Sequence, residues 1–393
     1  MKTTPAEAWI IDACRTPRGI GKPGKGALTS LHPQRLGAQV LKALAERNKI
    51  NTAEIDDVIW GTSNQTGLQS SNLGRMSALD AGFDVRSSGV TLNRFCGSGL
   101  TAVGLAAATL ASGQQDLVIG GGTEMMSLRS GAPASPFLDQ NNLHLRALHP
   151  QPQQGVCADA IATLEGIDRT ALDQLAVVSQ QRADHAIKNG YFNRSLIPVY
   201  HDDGRLALDR EEFPRPGTTL EALAQLKPSF AELVDQPLDE QGTTYRKLLL
   251  QKFPDLKLQF VHHGGNSSGV VDGSAAVLLA SDSYARAHGL KPRARIITSV
   301  TMGDDPTLML NAPGPAARKA LARAGLSIKD IDLFEVNEAF AVVTEKFIRD
   351  LDIDREKINV NGGAMALGHP IGATGAILLG TVLDELERRD KQF

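Results

Sequence analysis

The sequence has few cysteines, little net charge and no long apolar run. Cys14, Cys96 and Cys157 are its three cysteines in 393 residues, an odd number scattered over a long chain. This argues against a disulfide framework, and we expect thiols in a reducing compartment. The net charge of −3 supplies no basic field for nucleic acid. We therefore expect small-molecule partners and no nucleic acid.

Membrane and metal signals are also scarce. The first 19 residues contain no apolar core long enough for a signal peptide. The uncharged stretch from 95 to 115 is too rich in Ser, Thr and Gly to span a bilayer, so we interpret it as a buried helix. The nine histidines have no acidic or thiol partners at ligand spacing. We expect a cytoplasmic protein with no membrane span and no metal.

Strand and helix patterns alternate through the chain, which predicts an α/β fold with a parallel-type sheet. The length exceeds one ordinary core, and a proline-rich, strand-poor stretch interrupts the alternation. The expected strands cover 9–13, 55–61, 89–95, 116–121, 259–262, 275–280, 295–300 and 332–336, and the expected helices cover 33–48, 98–112, 169–189, 316–324 and 376–389. We predict an N-terminal half (1–125 with 259–285), an inserted loop domain (126–258) and a C-terminal half (286–393).

The last third repeats the element order of the first. Cys96 and His369 follow corresponding strands at nearly equal spacing. Two similar halves that face each other would bring these two residues to one central cleft. The alternative is that any α/β protein has βα units at such intervals.

The chemistry points first to Cys96, in the stretch NRFCGSGL at 93–100. A strand pattern precedes this cysteine and a helix pattern follows it. Unpaired N–H groups and the helix dipole at such a junction favour thiolate over thiol. Gly97 and Gly99 clear side chains from the sulfur and let a carbonyl approach backbone donors. A buried structural cysteine is the alternative for an isolated thiol.

Two further motifs complete a pattern: NEAF at 337–340 and GHPIGATG at 368–375. Together with NRFCGSG they resemble the thiolases, over 9–393, and most closely the bacterial acetyl-CoA C-acyltransferases of the fatty-acid oxidation type. The resemblance implies a thiolase-like fold of layered sheets and helices. It also implies cleavage of 3-ketoacyl-CoA by CoA, or the reverse Claisen condensation. Acyl-CoA and CoA are then substrates, and no cofactor is implied.

The reaction requires a nucleophile, a base and donors for two successive oxyanions. Cys96 fits the nucleophile, and His369 fits the base that takes the thiol proton. The resemblance implies that Asn337 positions a water in the oxyanion hole, whereas a turn or helix cap is the alternative. Glu338 is either an orienting acid or a solvated charge.

The resemblance also implies four contacts to CoA or the acyl chain, in which the inserted domain takes part. Each has a plain alternative as a turn hydroxyl, an exposed lysine or a core side chain. The four are Ser268 for pantetheine, Lys227 for the nucleotide end of CoA, and Met309 and Phe340 for the acyl pocket.

Three other functions remain open: a biosynthetic acetoacetyl-CoA thiolase, a ketoacyl synthase and a catalytically impaired or non-catalytic subunit. NEAF argues against the synthase. The third is considered because thiolases usually carry a second cysteine in a Cys-x-Gly-Gly-Gly turn after the last helix, and neither Cys14 nor Cys157 matches that motif. The resemblance further implies a homodimer or homotetramer that pairs through the half carrying Cys96.

Overall fold

The computed structural model describes residues 6–128 and 135–393. The strands are β1 Ala8–Arg15, β2 Gly19–Ile20, β3 Asp57–Gly61, β4 Ser88–Leu92, β5 Leu117–Met125, β6 Val199–Tyr200, β7 Leu206–Leu208, β8 Val271–Ser281 and β9 Ala294–Arg295. The helices are α1 Pro33–Arg47, α2 Leu73–Asp80, α3 Ser98–Ala111, α4 Leu143–Leu148, α5 Gln154–Leu164, α6 Arg169–Lys188, α7 Leu220–Ala224, α8 Tyr245–Leu250, α9 Asp282–Ala287, α10 Pro313–Ala324, α11 Ala341–Leu351, α12 Ala364–Leu367 and α13 Thr374–Arg389. None of these helices is apolar over a length that could cross a bilayer.

One mixed sheet forms the centre of the described chain. Its strand order is β4-β3-β5-β8-β1-β9, and β2 also pairs with β8. The expected parallel arrangement holds for β3 with β4 and β5, but β8 runs antiparallel to both β5 and β1. Every residue of β5 and β8 is buried, which explains their nearly continuous small and apolar sequences.

Helices cover both faces of this sheet, as the alternation along its strands requires. Trp60 packs in the cluster that contains the apolar face of α1, whereas its neighbour Ile59 packs in the cluster that contains α3 and α13. A β-carbon on Gly120 would lie 2.7 Å from the Cα of Val103 in α3. The glycine therefore lets α3 approach the sheet closely, and this places the start of α3 at the end of the central strands.

The two strands predicted for the last third, 295–300 and 332–336, are not regular strands in the structure. Within 295–300 only the first residue belongs to a strand, β9, and 332–336 has a single bridge, from Phe334 to Ile358. The backbone N–H groups of Asp332 and Leu333 donate to the carbonyl of Phe393. These segments bond to loops and chain ends, and within the described residues the last third forms no regular sheet of its own.

The segment 259–262 is likewise not a strand. The carboxylate of Asp159 accepts the N–H groups of Val261 and His262, each at 3.0 Å, so a helix side chain takes the place of a neighbouring strand. The inserted region packs through Val156, Leu172 and Leu248 in one cluster with Val342 of α11. It is therefore joined to the last third of the chain by a common core.

Candidate active site

Cys96 lies in a tight turn between β4 and α3. The residue before it, Phe95, has φ +47°, in the left-handed region that non-glycine residues rarely adopt. Side chains hold this turn: Asn93 Oδ1 accepts the Phe95 N–H at 2.8 Å, and the Ser98 hydroxyl donates to the Phe95 carbonyl at 2.7 Å. The strained turn puts Cys96, which is partly exposed, two residues before α3.

The other two cysteines are buried and unsuited to nucleophilic attack. Burial raises the pKa of both Cys14 and Cys157 to about 12. Their thiols donate to the carbonyls of Val40 and Thr307. A buried, protonated thiol is unreactive, which leaves Cys96 as the reactive candidate.

The hydrogen bonds of His369 define its tautomer. Its Nδ1 lies 2.6 Å from the hydroxyl of Thr374, and that hydroxyl donates its one proton to the carbonyl of Pro370 at 3.0 Å. With that proton on the Pro370 carbonyl, the contact with Thr374 is assigned to an Nδ1–H donor. The Asn337 side-chain amide donates to Nε2 at 3.3 Å. The network puts the lone pair on Nε2, where the Asn337 amide donates to it, so this lone pair can take a thiol proton only after Asn337 releases it.

His369 is also held neutral. Burial lowers its pKa to about 4, and the positive charge of Arg18 acts in the same direction. At neutral pH the imidazole is therefore uncharged.

The segments that carry Cys96 and His369 meet through glycines. A β-carbon on Gly99 would lie 2.8 Å from the carbonyl oxygen of Gly372, and one on Gly122 would lie 2.1 Å from the same atom. Real β-carbons essentially never approach backbone so closely. The absence of these side chains lets the 369–374 loop pack against the start of α3.

The glycine-rich loop at 262–269 adds Ser268 to this assembly. The N–H of Ser268 donates to the carbonyl of Ala339 at 3.0 Å, and the N–H of His369 donates to the carbonyl of Gly269 at 2.9 Å. The loop therefore lies between the NEAF segment and the histidine. Asn337 Oδ1 is buried, and within residues 6–128 and 135–393 no group bonds to it.

The two residues predicted to line the acyl pocket, Phe340 and Met309, differ in burial. Phe340 is buried, with its ring edge-on to Phe230 at 6.0 Å and to His262 at 5.5 Å between centroids. Met309 is partly exposed with φ +63°, directly after Leu308, which belongs to the Phe340 core cluster. Phe340 is thus a core side chain in this state as well as a candidate pocket wall.

Lys227 is an exposed side chain on the loop after α7. The same loop is bound to the glycine-rich segment through Ser229, whose N–H donates to the carbonyl of His262 at 2.9 Å. The contacts of this loop do not bring the lysine together with Cys96 or His369.

Glu338 is buried, so the interpretation as a solvated charge is wrong. Its carboxylate accepts the hydroxyl of Ser179 at 2.7 Å, the side-chain amide of Asn359 at 3.0 Å and the N–H of Met365 at 3.0 Å. Burial raises its pKa. It fixes the NEAF segment to α6 and α12.

The sequence did not predict that the adjacent histidines His262 and His263 each contact a carboxylate. His262 Nδ1 lies 2.7 Å from Asp159, and His263 Nε2 lies 2.8 Å from Asp173. Both acids lie on helices about a hundred positions upstream, which no local spacing reveals. Glu124 was missed as well, although an acid inside the apolar run of β5 is a visible signal.

The sequence matches the family profile "Thiolase, N-terminal domain" over residues 8–233 and "Thiolase, C-terminal domain" over residues 290–393. The chain belongs to the thiolase family. It is 39% identical to a beta-ketoadipyl-CoA thiolase of Acinetobacter baylyi, with 98% of this chain and 94% of the relative covered. It is 38% identical to a 3-ketoacyl-CoA thiolase of Serratia proteamaculans at the same coverage.

The fold agrees with this membership. The crystal structure of the Bacillus anthracis acetyl-CoA acetyltransferase superposes with a TM-score of 0.83 at 32% identity, covering 99% of this chain and 94% of that one. The expected α/β thiolase-like fold class is confirmed. This thiolase is a C-acyltransferase that cleaves 3-oxoacyl-CoA.

Proposed function

We propose that this thiolase transfers the acyl group of a 3-ketoacyl-CoA to CoA, releasing acetyl-CoA, through a thioester on Cys96. One observation carries the proposal: His369, whose Nε2 lies 3.3 Å from the Asn337 side-chain nitrogen, is on a loop packed against the helix that follows Cys96. Burial keeps its imidazole neutral by lowering the pKa. A base in this state can ionise a thiol without first losing a proton.

Each step follows from these groups. The Asn337 amide releases the Nε2 lone pair of His369, Nε2 takes the thiol proton, and the sulfur of Cys96 attacks the 3-keto carbon. The bond between C2 and C3 then breaks, and the acetyl-CoA enolate takes up one proton, which the protonated His369 can supply. The thiol of CoA attacks the acyl-Cys96 thioester and restores the cysteine. Asn337 positions a donor for one of the two oxyanions.

The remaining predicted residues bind the substrate in this proposal. Ser268 contacts the pantetheine arm, which its place between the NEAF segment and His369 supports. Lys227 meets the nucleotide end of CoA from the inserted segment 126–258, where an exposed lysine suits a phosphate. Met309 and Phe340 line the acyl pocket.

The surroundings of Phe340 favour a hydrocarbon chain over a second carboxylate. Its core cluster contains Val156, Leu308 and Met365, and the ring of Phe230 packs against it. Relatives are named for both 3-ketoacyl-CoA and beta-ketoadipyl-CoA, and a biosynthetic acetoacetyl-CoA thiolase is the remaining alternative. We assign the degradative reaction on fatty acyl chains.

Steady-state thiolysis of three substrates tests this assignment: acetoacetyl-CoA, a straight medium-chain 3-oxoacyl-CoA and 3-oxoadipyl-CoA, each with the Cys96→Ser variant as the blank. We expect the highest kcat/KM for the medium-chain substrate. A tenfold preference for 3-oxoadipyl-CoA would contradict the fatty-acyl assignment and identify 3-oxoadipyl-CoA as the substrate. Turnover confined to acetoacetyl-CoA would indicate the biosynthetic enzyme.

We propose a homodimer that pairs through the half carrying Cys96, or a dimer of such dimers. β4 is an edge strand, and Val90, Phe95, Leu100 and Leu105 along β4, the turn and α3 are exposed apolar side chains. Val90→Lys should convert the dimer to a monomer in light scattering, whereas Leu206→Lys on the exposed face of β7 should not. A monomeric wild-type protein at micromolar concentration would contradict the proposal.

We place the enzyme in the cytoplasm on the cysteine usage alone.

A further inference from the structure

A single buried carboxylate, Glu124, touches both segments of the site. It is the penultimate residue of β5 and is fully buried. Its Oε2 accepts the N–H of Ser63 at 2.8 Å and the N–H of Gly372 at 2.9 Å. Ser63 follows β3, and Gly372 lies three residues after His369. One oxygen atom therefore binds backbone from both halves of the sequence.

The first branch leads to the nucleophile. The carbonyl of Ser63 accepts the side-chain amide of Asn93 at 3.0 Å, and Asn93 Oδ1 accepts the N–H of Phe95 at 2.8 Å. Phe95 is the left-handed residue directly before Cys96. Three hydrogen bonds thus connect Glu124 to the turn whose strained backbone sets the position of the sulfur.

The second branch leads to the base. Gly372 is bound through its N–H to Glu124, while its carbonyl oxygen lies in the space that glycines 61, 99 and 122 leave open. Two residues later Thr374 accepts the Nδ1 proton of His369. The loop from His369 to Thr374 is therefore fixed in its middle by Glu124.

A buried carboxylate is costly unless donors compensate it. In the described part of the chain no basic side chain pairs with Glu124; its donors are two backbone N–H groups and the Gln69 amide at 3.2 Å. Hydrogen bonds to an ionised acceptor are about twice as strong as neutral ones. The carboxylate can thus hold these two backbone segments more strongly than a neutral side chain would.

We propose that Glu124 is a positioning residue for acyl transfer, which fixes the Cys96 turn and the His369 loop in one geometry through its shared Oε2. The proposal rests on the proposed roles of Cys96 and His369. Glu124 does not touch the reacting atoms. Its contribution is the distance between nucleophile and base, where a misplacement of about 1 Å can cost about 10²-fold in rate.

Three variants separate the parts of this network. Glu124→Ala removes both branches. Glu124→Gln keeps one carbonyl oxygen that can accept both N–H groups and loses only the bond to Gln69, because two amide nitrogens would then face each other. Asn93→Ala cuts the Cys96 branch alone. The matched control is Asp272→Asn, a buried carboxylate of the same sheet that accepts the N–H and hydroxyl of Ser127.

We expect Glu124→Ala to lower kcat by about 10²-fold with KM within threefold of wild type, and Glu124→Gln to recover at least tenfold of that loss. Asn93→Ala should lower kcat about tenfold in the wild-type background and less than twofold in the Glu124→Ala background, because both changes act on one path. Asp272→Asn should lower the melting temperature and leave kcat within threefold.

Folded Glu124→Ala protein with wild-type kcat would overturn the proposal, as would a kcat loss in Asp272→Asn equal to that in Glu124→Ala. If Glu124→Ala does not fold, unchanged kcat in both Glu124→Gln and Asn93→Ala overturns it. The proposed function fails separately, when wild-type protein is not acylated on Cys96 by acyl-CoA, and this proposal then falls with it.

Discussion

Gly99 and Gly372 stand so close that a β-carbon on Gly99 would lie 2.8 Å from the Gly372 carbonyl oxygen. Gly99 is the third residue after Cys96, and Gly372 is the third after His369. The contact joins the start of α3 to the loop before α13. The distance between nucleophile and base is therefore set by backbone packed on backbone.

Gly99→Ala should separate these segments. The clashing atoms belong to the backbone, so the cost cannot be relieved by a side-chain rotation, and we expect about 1–3 kcal/mol of lost stability. Acyl-transfer kcat should fall by about 10²-fold. Gly217→Ala is the control, since a β-carbon there meets open space. Equal kcat values for the two variants would show that the close contact does not position the site.

The pH dependence of kcat/KM should reveal a neutral base. Burial and Arg18 lower the pKa of His369 to about 4, below the ordinary value of 6.5. The base is therefore lost only as pH falls towards 4, and the acid limb of the profile should have no inflection near 6.5 from this residue. Titration of the ring by NMR, with His369→Asn to assign the signal, checks the value. A ring that titrates near 6.5 would contradict the network.

Glu211 should carry acid-labile stability. Burial alone raises its pKa, but the charges of Arg15 and Arg18 outweigh burial and lower the pKa to about 2. Arg15 lies 2.6 Å and Arg18 2.9 Å from the carboxylate. Because the folded pKa is below the ordinary value of 4.5, this stabilisation is complete above about pH 4.5 and is lost as pH falls towards 2.

Glu211→Gln leaves two buried arginines without their counter-charge. We expect a loss of about 3–5 kcal/mol at pH 7, seen as a lower urea midpoint, and a smaller difference from wild type at pH 3. The control is Glu356→Gln, which removes an exposed carboxylate that pairs with Arg182 and should cost below about 1 kcal/mol. Equal midpoints for the two variants would refute the role of the buried pair.

Three of the candidate site residues could be proposed from short motifs in the sequence. Cys96, Asn337 and His369 stand in local patterns with their glycines, and α1, α3, α6 and α13 follow the expected periodicity to within two residues. The family was recognised from the same stretches. Apolar periodicity reports which face is buried, so the central strands were found as well.

What the sequence could not supply depends on distant partners. The segments 295–300 and 332–336 have strand-like patterns, yet a pattern does not say whether a neighbouring strand is present to pair with it. The tautomer of His369 depends on the carbonyl of Pro370 through Thr374, and the role of Glu124 depends on Gly372, 248 positions away. Such contacts exist only in the folded chain.

The most direct test of the account is the site of acylation. The wild-type protein is mixed with acetyl-CoA, quenched in acid within one turnover and digested, and the thioester is mapped by peptide mass spectrometry, with His369→Asn treated in parallel. We predict the acetyl group on Cys96 alone, formed at least about 10²-fold more slowly in the variant because the base is missing. An acetyl group on Cys14 or Cys157 with none on Cys96, or an unchanged rate without His369, would contradict the account.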